Sequence, residues 1–172
     1  MREKGFHHVA YACKDVEATR HFYEDLMGFP LIHVEGAAFE DPQRGSGYMR
    51  HLFFDCGGGE SIAFFDVNNV GETKDWHADI STGNGLPVWV NHCAFWADEE
   101  QQNTTRERMA AHGVKPLMEL NHDWCFSSYY LDPNGIMVEL CRDTPGLPVD
   151  AEAARAGLKV IPQAPPRQLQ DR

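Results

Sequence analysis

Ser128-Tyr129-Tyr130-Leu131-Asp132-Pro133-Asn134-Gly135-Ile136-Met137-Val138-Glu139-Leu140 is the stretch that decides how this chain folds. It reads as strand, tight turn, strand. Pro133 fixes φ at the turn, and Asn134-Gly135 accepts positive φ. The returning strand is apolar except for one carboxylate, Glu139. Side chains alternate along a strand, so Glu139 shares a face with Met137 and Cys141, while Ile136, Val138 and Leu140 point the other way, towards a helix. A carboxylate on a half-buried strand is costly unless it is paired, hydrogen-bonded or bound to a metal. Groups elsewhere in the chain must therefore meet it.

Working outward, Val88–Trp96 reads as a strand, Asp98 caps a polar helix that ends at Gly113, Leu117–Leu120 is a short strand, and Cys125–Leu131 leads into the turn. The first half of the chain has the same plan. Gly5–Cys13 is a strand, and Asp15 caps a helix from Val16 to about Met27 with Val16, Phe22, Tyr23 and Leu26 as its apolar stripe. Gly28 stops that helix. Strands follow at 29–34, 48–55 and 61–67, with 35–46 read as a loop or ragged hairpin and Cys56-Gly57-Gly58-Gly59 as a turn. His8-Val9-Ala10-Tyr11 repeats as His92-Cys93-Ala94-Phe95, and each run precedes an Asp-capped helix that ends in glycine. The pattern is one βαβββ unit used twice. In that register Ala63 occupies the place of Glu139.

The expected organisation is α+β: a single domain over residues 1–143, with module one at 5–67, a linker at 68–87 and module two at 88–142. A C-terminal extension follows at 144–172, with five prolines and a helix signal at about 150–158. The linker is long enough to cover a site. Fifteen basic residues against 26 acidic ones give a net charge of −11, which disfavours nucleic acid and anionic membrane as partners. No apolar run approaches the roughly 20 residues of a membrane span, and the first residues lack the apolar region of a signal peptide. Five dispersed cysteines without a CxxC read as reduced thiols in a cytoplasmic protein.

The paired modules, the equivalent histidines and the Asp132-Pro133-Asn134-Gly135…Glu139 run resemble the vicinal oxygen chelate superfamily. That group includes glyoxalase I, methylmalonyl-CoA epimerase, the bleomycin and fosfomycin resistance proteins and the type I extradiol dioxygenases. The resemblance covers residues 5–142. It implies two modules forming a curved, open, barrel-like sheet around a metal, with helices outside. It also implies metal ligands at His8, His92 and Glu139. From the residues themselves, Ala10 and Ala94 leave space beside the two histidines, and two imidazoles with one carboxylate make a facial triad suited to Fe(II), with Mn(II) as the alternative.

Superfamily members with a fourth protein ligand carry it where this chain has Ala63, and alanine cannot ligate. Three protein ligands leave room for a chelating substrate and O₂, which is similar to the extradiol dioxygenases. His122 followed by Tyr129 and the Asp-Pro-x-Gly…Glu run is similar to their signature, although Leu120 and Ser128 depart from it. The expectation is a ring-cleaving dioxygenase acting on a catechol-like vicinal diol, with His122, Tyr129 and the linker residue His77 as acid–base groups. Trp76, Trp89, Trp96, Trp124 and Phe126 could form aromatic walls. The alternatives are a glyoxalase-type lyase, isomerase or epimerase working through a metal-bound enediolate, and a non-enzymatic drug-sequestering protein. A homodimer is expected, with the extension able to wrap the partner.

Overall fold

A computed structural model describes residues 5–43, 45–71, 75–147 and 149–162. The elements in chain order are β1 (His8–Cys13), α1 (Val16–Arg20), β2 (Leu31–Asp41), β3 (Gly45–Gly57), β4 (Glu60–Asn68), α2 (Ile80–Gly83), β5 (His92–Trp96), α3 (Glu99–Ala111), β6 (Met118–Asn121), β7 (Cys125–Leu131), β8 (Met137–Asp143) and α4 (Ala151–Gly157). They form two four-stranded mixed sheets, ordered β1-β4-β3-β2 and β5-β8-β7-β6. In each sheet the first and last strands run parallel and the other pairs are antiparallel. The duplication read from sequence is therefore the architecture. Its register makes the Ala63 equivalence concrete, because Ala10 pairs with Ala63 where Ala94 pairs with Glu139.

Both sheets turn one face to a common core. Ile62 and Phe64 from β4, Val138 and Leu140 from β8, and Met109 from α3 are all buried there. The helix after β1 starts as expected, with Asp15 accepting from Ala18 N at 2.9 Å. It does not stay α-helical to Met27. From His21 to Leu26 the coil widens to an i→i+5 pattern, and Met27 N donates to Phe22 O at 2.9 Å. The wider turn buries Phe22, Tyr23 and Leu26 together. Arg20 reaches Glu17, Glu24 and Asp25 on the outer side.

Two strand boundaries differ from the sequence reading. Of the loop or ragged hairpin read at 35–46, the hairpin forms, as an extension of β2 and β3 beyond 29–34 and 48–55, with Glu35 paired to His51 and Asp41 to Gly45. Its outer part projects beyond the core, so neither face needs the apolar alternation that marks a half-buried strand. Close ladder packing there requires glycine: a Cβ on Gly47 would meet the Phe39 ring at 2.5 Å. In module two, β5 begins at His92 rather than Val88. Val90 N donates to Pro87 O at 3.1 Å, which folds 87–90 into a turn.

Polar bonds from both ends of the helical segment over 14–27 tie the modules together. Tyr23 Oη donates to Asp132 Oδ2 at 2.9 Å, and Asn134 bonds Thr19 Oγ1 and Lys14 N. At the other end, Arg108 from α3 donates to Leu26 O at 2.8 Å and Met27 O at 3.1 Å. A cation at these free carbonyls satisfies acceptors the helix leaves open. Arg108→Ala is expected to cost about 1.5–3 kcal/mol, the range for hydrogen bonds from a charged donor. Urea unfolding monitored by circular dichroism measures it.

The linker carries α2, whose cap Asp79 accepts from Ser81 N and Thr82 N at 2.9 Å each. The extension carries α4, with Leu147, Leu158 and Ile161 exposed. Residues 163–172 of the extension lie outside the described residues. Among the described residues no helix is long and apolar enough to cross a membrane.

Candidate metal and substrate site

Alternation along β5 and β8 turns Cys93, Phe95, Val138 and Leu140 to the core side and His92, Ala94 and Glu139 to the open face of the second sheet. There His92 Nε2 stands 3.0 Å from Glu139 Oε2. His92 Nδ1 is 2.9 Å from Trp89 O, the carbonyl of the turn that precedes β5. A carbonyl only accepts, so Nδ1 carries a proton and Nε2 faces the carboxylate. Glu139 is 5% exposed, and its Oε1 accepts from Ser127 Oγ on β7.

Tyr129 pairs directly with Glu139 across β7 and β8. Its hydroxyl is 3.0 Å from His122 Nε2. Its ring meets the His92 ring at 6.0 Å. Burial first, then the Glu139 charge, push the Tyr129 phenol up to about 12 against the opposing pull of Ser127. The phenol therefore keeps its proton at neutral pH and serves as a donor. Trp124 stacks on His122, and Trp89 and Trp96 are largely exposed.

His8 stands apart from this group. It lies on the open face of the first sheet, with Phe53 at 5.3 Å and His51 at 5.8 Å between ring centres. Its Nδ1 is 2.8 Å from His7 Nδ1. Among the described residues one group of three donors converges to within 4.8 Å, and it is His122, Cys125 and Glu139. The structure thus brings together His92, Glu139, His122 and Tyr129 within one chain, and leaves His8 on the other sheet. The inner faces of β1 and β5 explain the separation. Tyr11 Oη contacts Cys93 Sγ at 2.9 Å, and Val9 and Phe95 pack on the shared core, so those faces hold the modules together.

The linker residue His77 is exposed and sits against Gly83 beside Asp79, on the segment whose Ser81 bonds Asn91, the neighbour of His92. Two expected aromatic walls are elsewhere. Lys14 Nζ lies over the Trp76 ring at 5.1 Å, and Phe126 lies on the helix side under Arg142. Parity explains Phe126, which shares its face with Tyr130 and not with Tyr129. Cys125 was missed by sequence reading, yet its signal was available. Cys125, Ser127 and Tyr129 are alternate residues of the strand opposite Glu139. A cleft of about 340 Å³ between the β1 and β5 edges, lined by Phe6, Ser61, His92 and Ala94 among others, opens beside the pair.

The family model described as the Glyoxalase/Bleomycin resistance protein/Dioxygenase superfamily matches residues 5–140. The chain belongs to this superfamily. Solved structures of similar fold include a glyoxylase/bleomycin resistance protein/dioxygenase domain from Frankia sp. EAN1pec. It is 16% identical, with a TM-score of 0.60, covering 84% of this chain and 96% of that one. A lactoylglutathione lyase from Agrobacterium tumefaciens is 19% identical, with a TM-score of 0.52 over 83% and 96% of the two chains. A mutant form of the fosfomycin resistance protein FosX from Listeria monocytogenes, complexed with Mn(II) and 1S,2S-dihydroxypropylphosphonic acid, is 21% identical, with a TM-score of 0.52 over 80% and 91%. At these identities the likeness to the solved structures is one of fold. The superfamily fold accounts for the two curved, open sheets with helices outside, which do not close into a barrel.

Proposed function

We propose that this chain is a metal-dependent enzyme acting on a small substrate that chelates through two neighbouring oxygens. The protein ligands are His92 and Glu139 of one copy and His8 of a second copy. One observation carries the metal. With Nδ1 anchored on the Trp89 carbonyl, His92 turns Nε2 to a carboxylate oxygen 3.0 Å away. Two lone pairs at that distance share a cation, either a proton or a metal ion, and a bound metal ion would take both as ligands. A histidine whose other nitrogen is anchored to a backbone carbonyl is the usual orientation of a metal-bound imidazole. In His8 the Nδ1 is engaged by the His7 ring, 2.8 Å away, which leaves its Nε2 as the ligating nitrogen. The donor set of two imidazoles and a carboxylate fits Fe(II) or Mn(II).

When bound, such an ion polarises both substrate oxygens and, as Fe(II), supports reaction with O₂. The chain's own groups do the rest. Ala63 is fully buried and offers no donor, so the site is not closed by a fourth protein ligand at that position. Tyr129, protonated at neutral pH, donates a hydrogen bond to a substrate oxygen, and His122 exchanges a proton with Tyr129 Oη across 3.0 Å. The exposed Trp89 and Trp96 offer flat apolar surface to an aromatic ring. These features support oxidative cleavage of a catechol-like diol. A second reading, isomerisation or addition at a redox-inert Mn(II), is favoured by the similar fold of FosX, which holds Mn(II) with a vicinal diol.

The test is to reconstitute the anaerobically purified protein with Fe(II) or Mn(II), and to follow O₂ uptake against a panel of catechols. The expected result is one ion per copy, O₂ consumed with a diol, and loss of both in Glu139→Gln. Ion uptake without O₂ consumption on any diol gives the reaction to the second reading. Unchanged ion uptake in Glu139→Gln overturns the metal assignment.

A further inference from the structure

The turn between β6 and β7 has a geometry that the ligand triad does not use. Asn121 Oδ1 accepts from Asp123 N at 2.9 Å, and Asp123 takes φ of 68°, a left-handed conformation that Asp tolerates. His122 N then donates to Cys125 O at 2.8 Å. This tight reversal brings the two ends of His122-Asp123-Trp124-Cys125 onto one face of the sheet. β8, the strand next to β7, supplies Glu139 to the same face. A ring nitrogen of His122, Cys125 Sγ and a Glu139 oxygen all lie within 4.8 Å of one another. Cys125 is fully buried, and its Sγ makes a long contact of 3.5 Å to Ser127 Oγ.

We propose that module two holds a zinc-class divalent ion through His122, Cys125 and Glu139 within one chain. Imidazole, thiolate and carboxylate are the three donor types that zinc takes, and a thiolate selects zinc or cobalt over magnesium, calcium or manganese. The donors come from a two-strand turn and an adjacent strand, so the sheet itself sets their separation. Binding converts Cys125–SH and the ion into a metal–thiolate bond and a released proton. The site needs neither His8 nor a second copy, and it stands whether or not the diol chemistry proposed above is right. It shares Glu139 with the triad and His122 with the proton path to Tyr129, so an ion here competes for both with an ion held by His92 and His8.

The test uses the full chain freed of metal, with Co(II) and Zn(II) as the probes. Co(II) bound to a thiolate shows a near-ultraviolet charge-transfer band, and equilibrium dialysis gives the Zn(II) stoichiometry. Wild type and His8→Ala are expected to bind one ion per chain and to show the band. Cys125→Ser is expected to lose the band and to bind Zn(II) more weakly by over about 100-fold, beyond what partners behind a ligand contribute. Cys141→Ser, which changes the neighbouring thiol, is expected to keep the band. His122→Ala, at a more accessible position, keeps the thiol but weakens Zn(II) binding, and covers the case in which Cys125→Ser does not fold. No band in wild type, a band retained in Cys125→Ser, or unchanged Zn(II) binding in His122→Ala overturns the site. A band lost in His8→Ala overturns its confinement to one chain. Failure of the ligand triad reads differently, as Fe(II) or Mn(II) binding that is indifferent to His8→Ala.

Discussion

Exchanging His8 for alanine is expected to lower Fe(II) or Mn(II) affinity by more than about 100-fold, because a direct ligand contributes more than the groups behind it. The secondary structure should survive, since His8 is exposed on its sheet and the adjoining core is built by Val9 and Tyr11. The informative experiment mixes this variant with Glu139→Gln. Each variant alone lacks a ligand in every site. If His8 acts across a two-fold interface, a mixed dimer regains one complete site, and random mixing restores about a quarter of the wild-type sites. If His8 acts within its own chain, no complete site forms in any mixture and no affinity returns. Metal titration of the pure variants and of the mixture after unfolding and refolding reads the difference directly.

The expectation of crossing chains rests on where the two open faces point. His8, with His51 and Phe53, occupies the face of the first sheet turned away from the common core. His92 and Glu139 occupy the corresponding face of the second sheet. The core-side contacts, from Tyr11–Cys93 to Arg108 on the Leu26 and Met27 carbonyls, fix the modules in this relation. Moving His8 to Glu139 within one chain would mean breaking them. Docking a second copy would not.

Most of the fold could be read from sequence because the period-2 and period-3.6 patterns are strong where strands and helices cover a core. Ile136, Val138 and Leu140 against Met137, Glu139 and Cys141 is the clearest case, and the two sheets reproduce that division. The 35–46 hairpin was legible only as a loop or ragged hairpin for the opposite reason: it has no buried face to impose a pattern. Glu139 and His92 were legible as neighbours because both follow from strand parity within one module. The separation of His8 was not, because the packing of one module on another is set by tertiary contacts such as Tyr23–Asp132 that leave no local period. The same parity places Cys125 on the face of Ser127 and Tyr129, opposite Glu139. His77 had only its position in the linker to recommend it, and it packs on Gly83 next to the α2 cap Asp79.

Asp132→Ala is expected to cost about 3–5 kcal/mol, by leaving buried donors without acceptors at roughly 1–3 kcal/mol each. Asp132 is 4% exposed and collects four bonds: Asn134 N and Ile136 N at 2.8 Å, Tyr23 Oη at 2.9 Å and Asn134 Nδ2 at 3.1 Å. Two of these hold the turn, and the Tyr23 bond holds module one against module two. Alanine removes all four, and the Tyr23 hydroxyl stays in a fully buried position with no acceptor supplied. For a chain of this size about 2–4 °C accompany each kcal/mol, so the melting temperature is expected to fall by about 6–20 °C. Asp132→Asn keeps one oxygen for the turn amides and is expected to cost less. The comparison also has a pH signature. Burial pushes the Asp132 carboxyl above its usual value of 3.8, and its hydrogen bonds only partly oppose that. A carboxyl with a raised folded pKa contributes stability that is complete below the unfolded pKa and is lost as pH rises through the folded one. The neutral amide has no such loss. The stability gap between wild type and Asp132→Asn should therefore narrow as pH rises from about 3.8 through the raised value, whereas the Asp132→Ala variant remains the least stable throughout. Denaturant unfolding of the three proteins across that range measures both effects, and a gap that widens with pH would mean that the turn donors, rather than burial, govern this carboxylate.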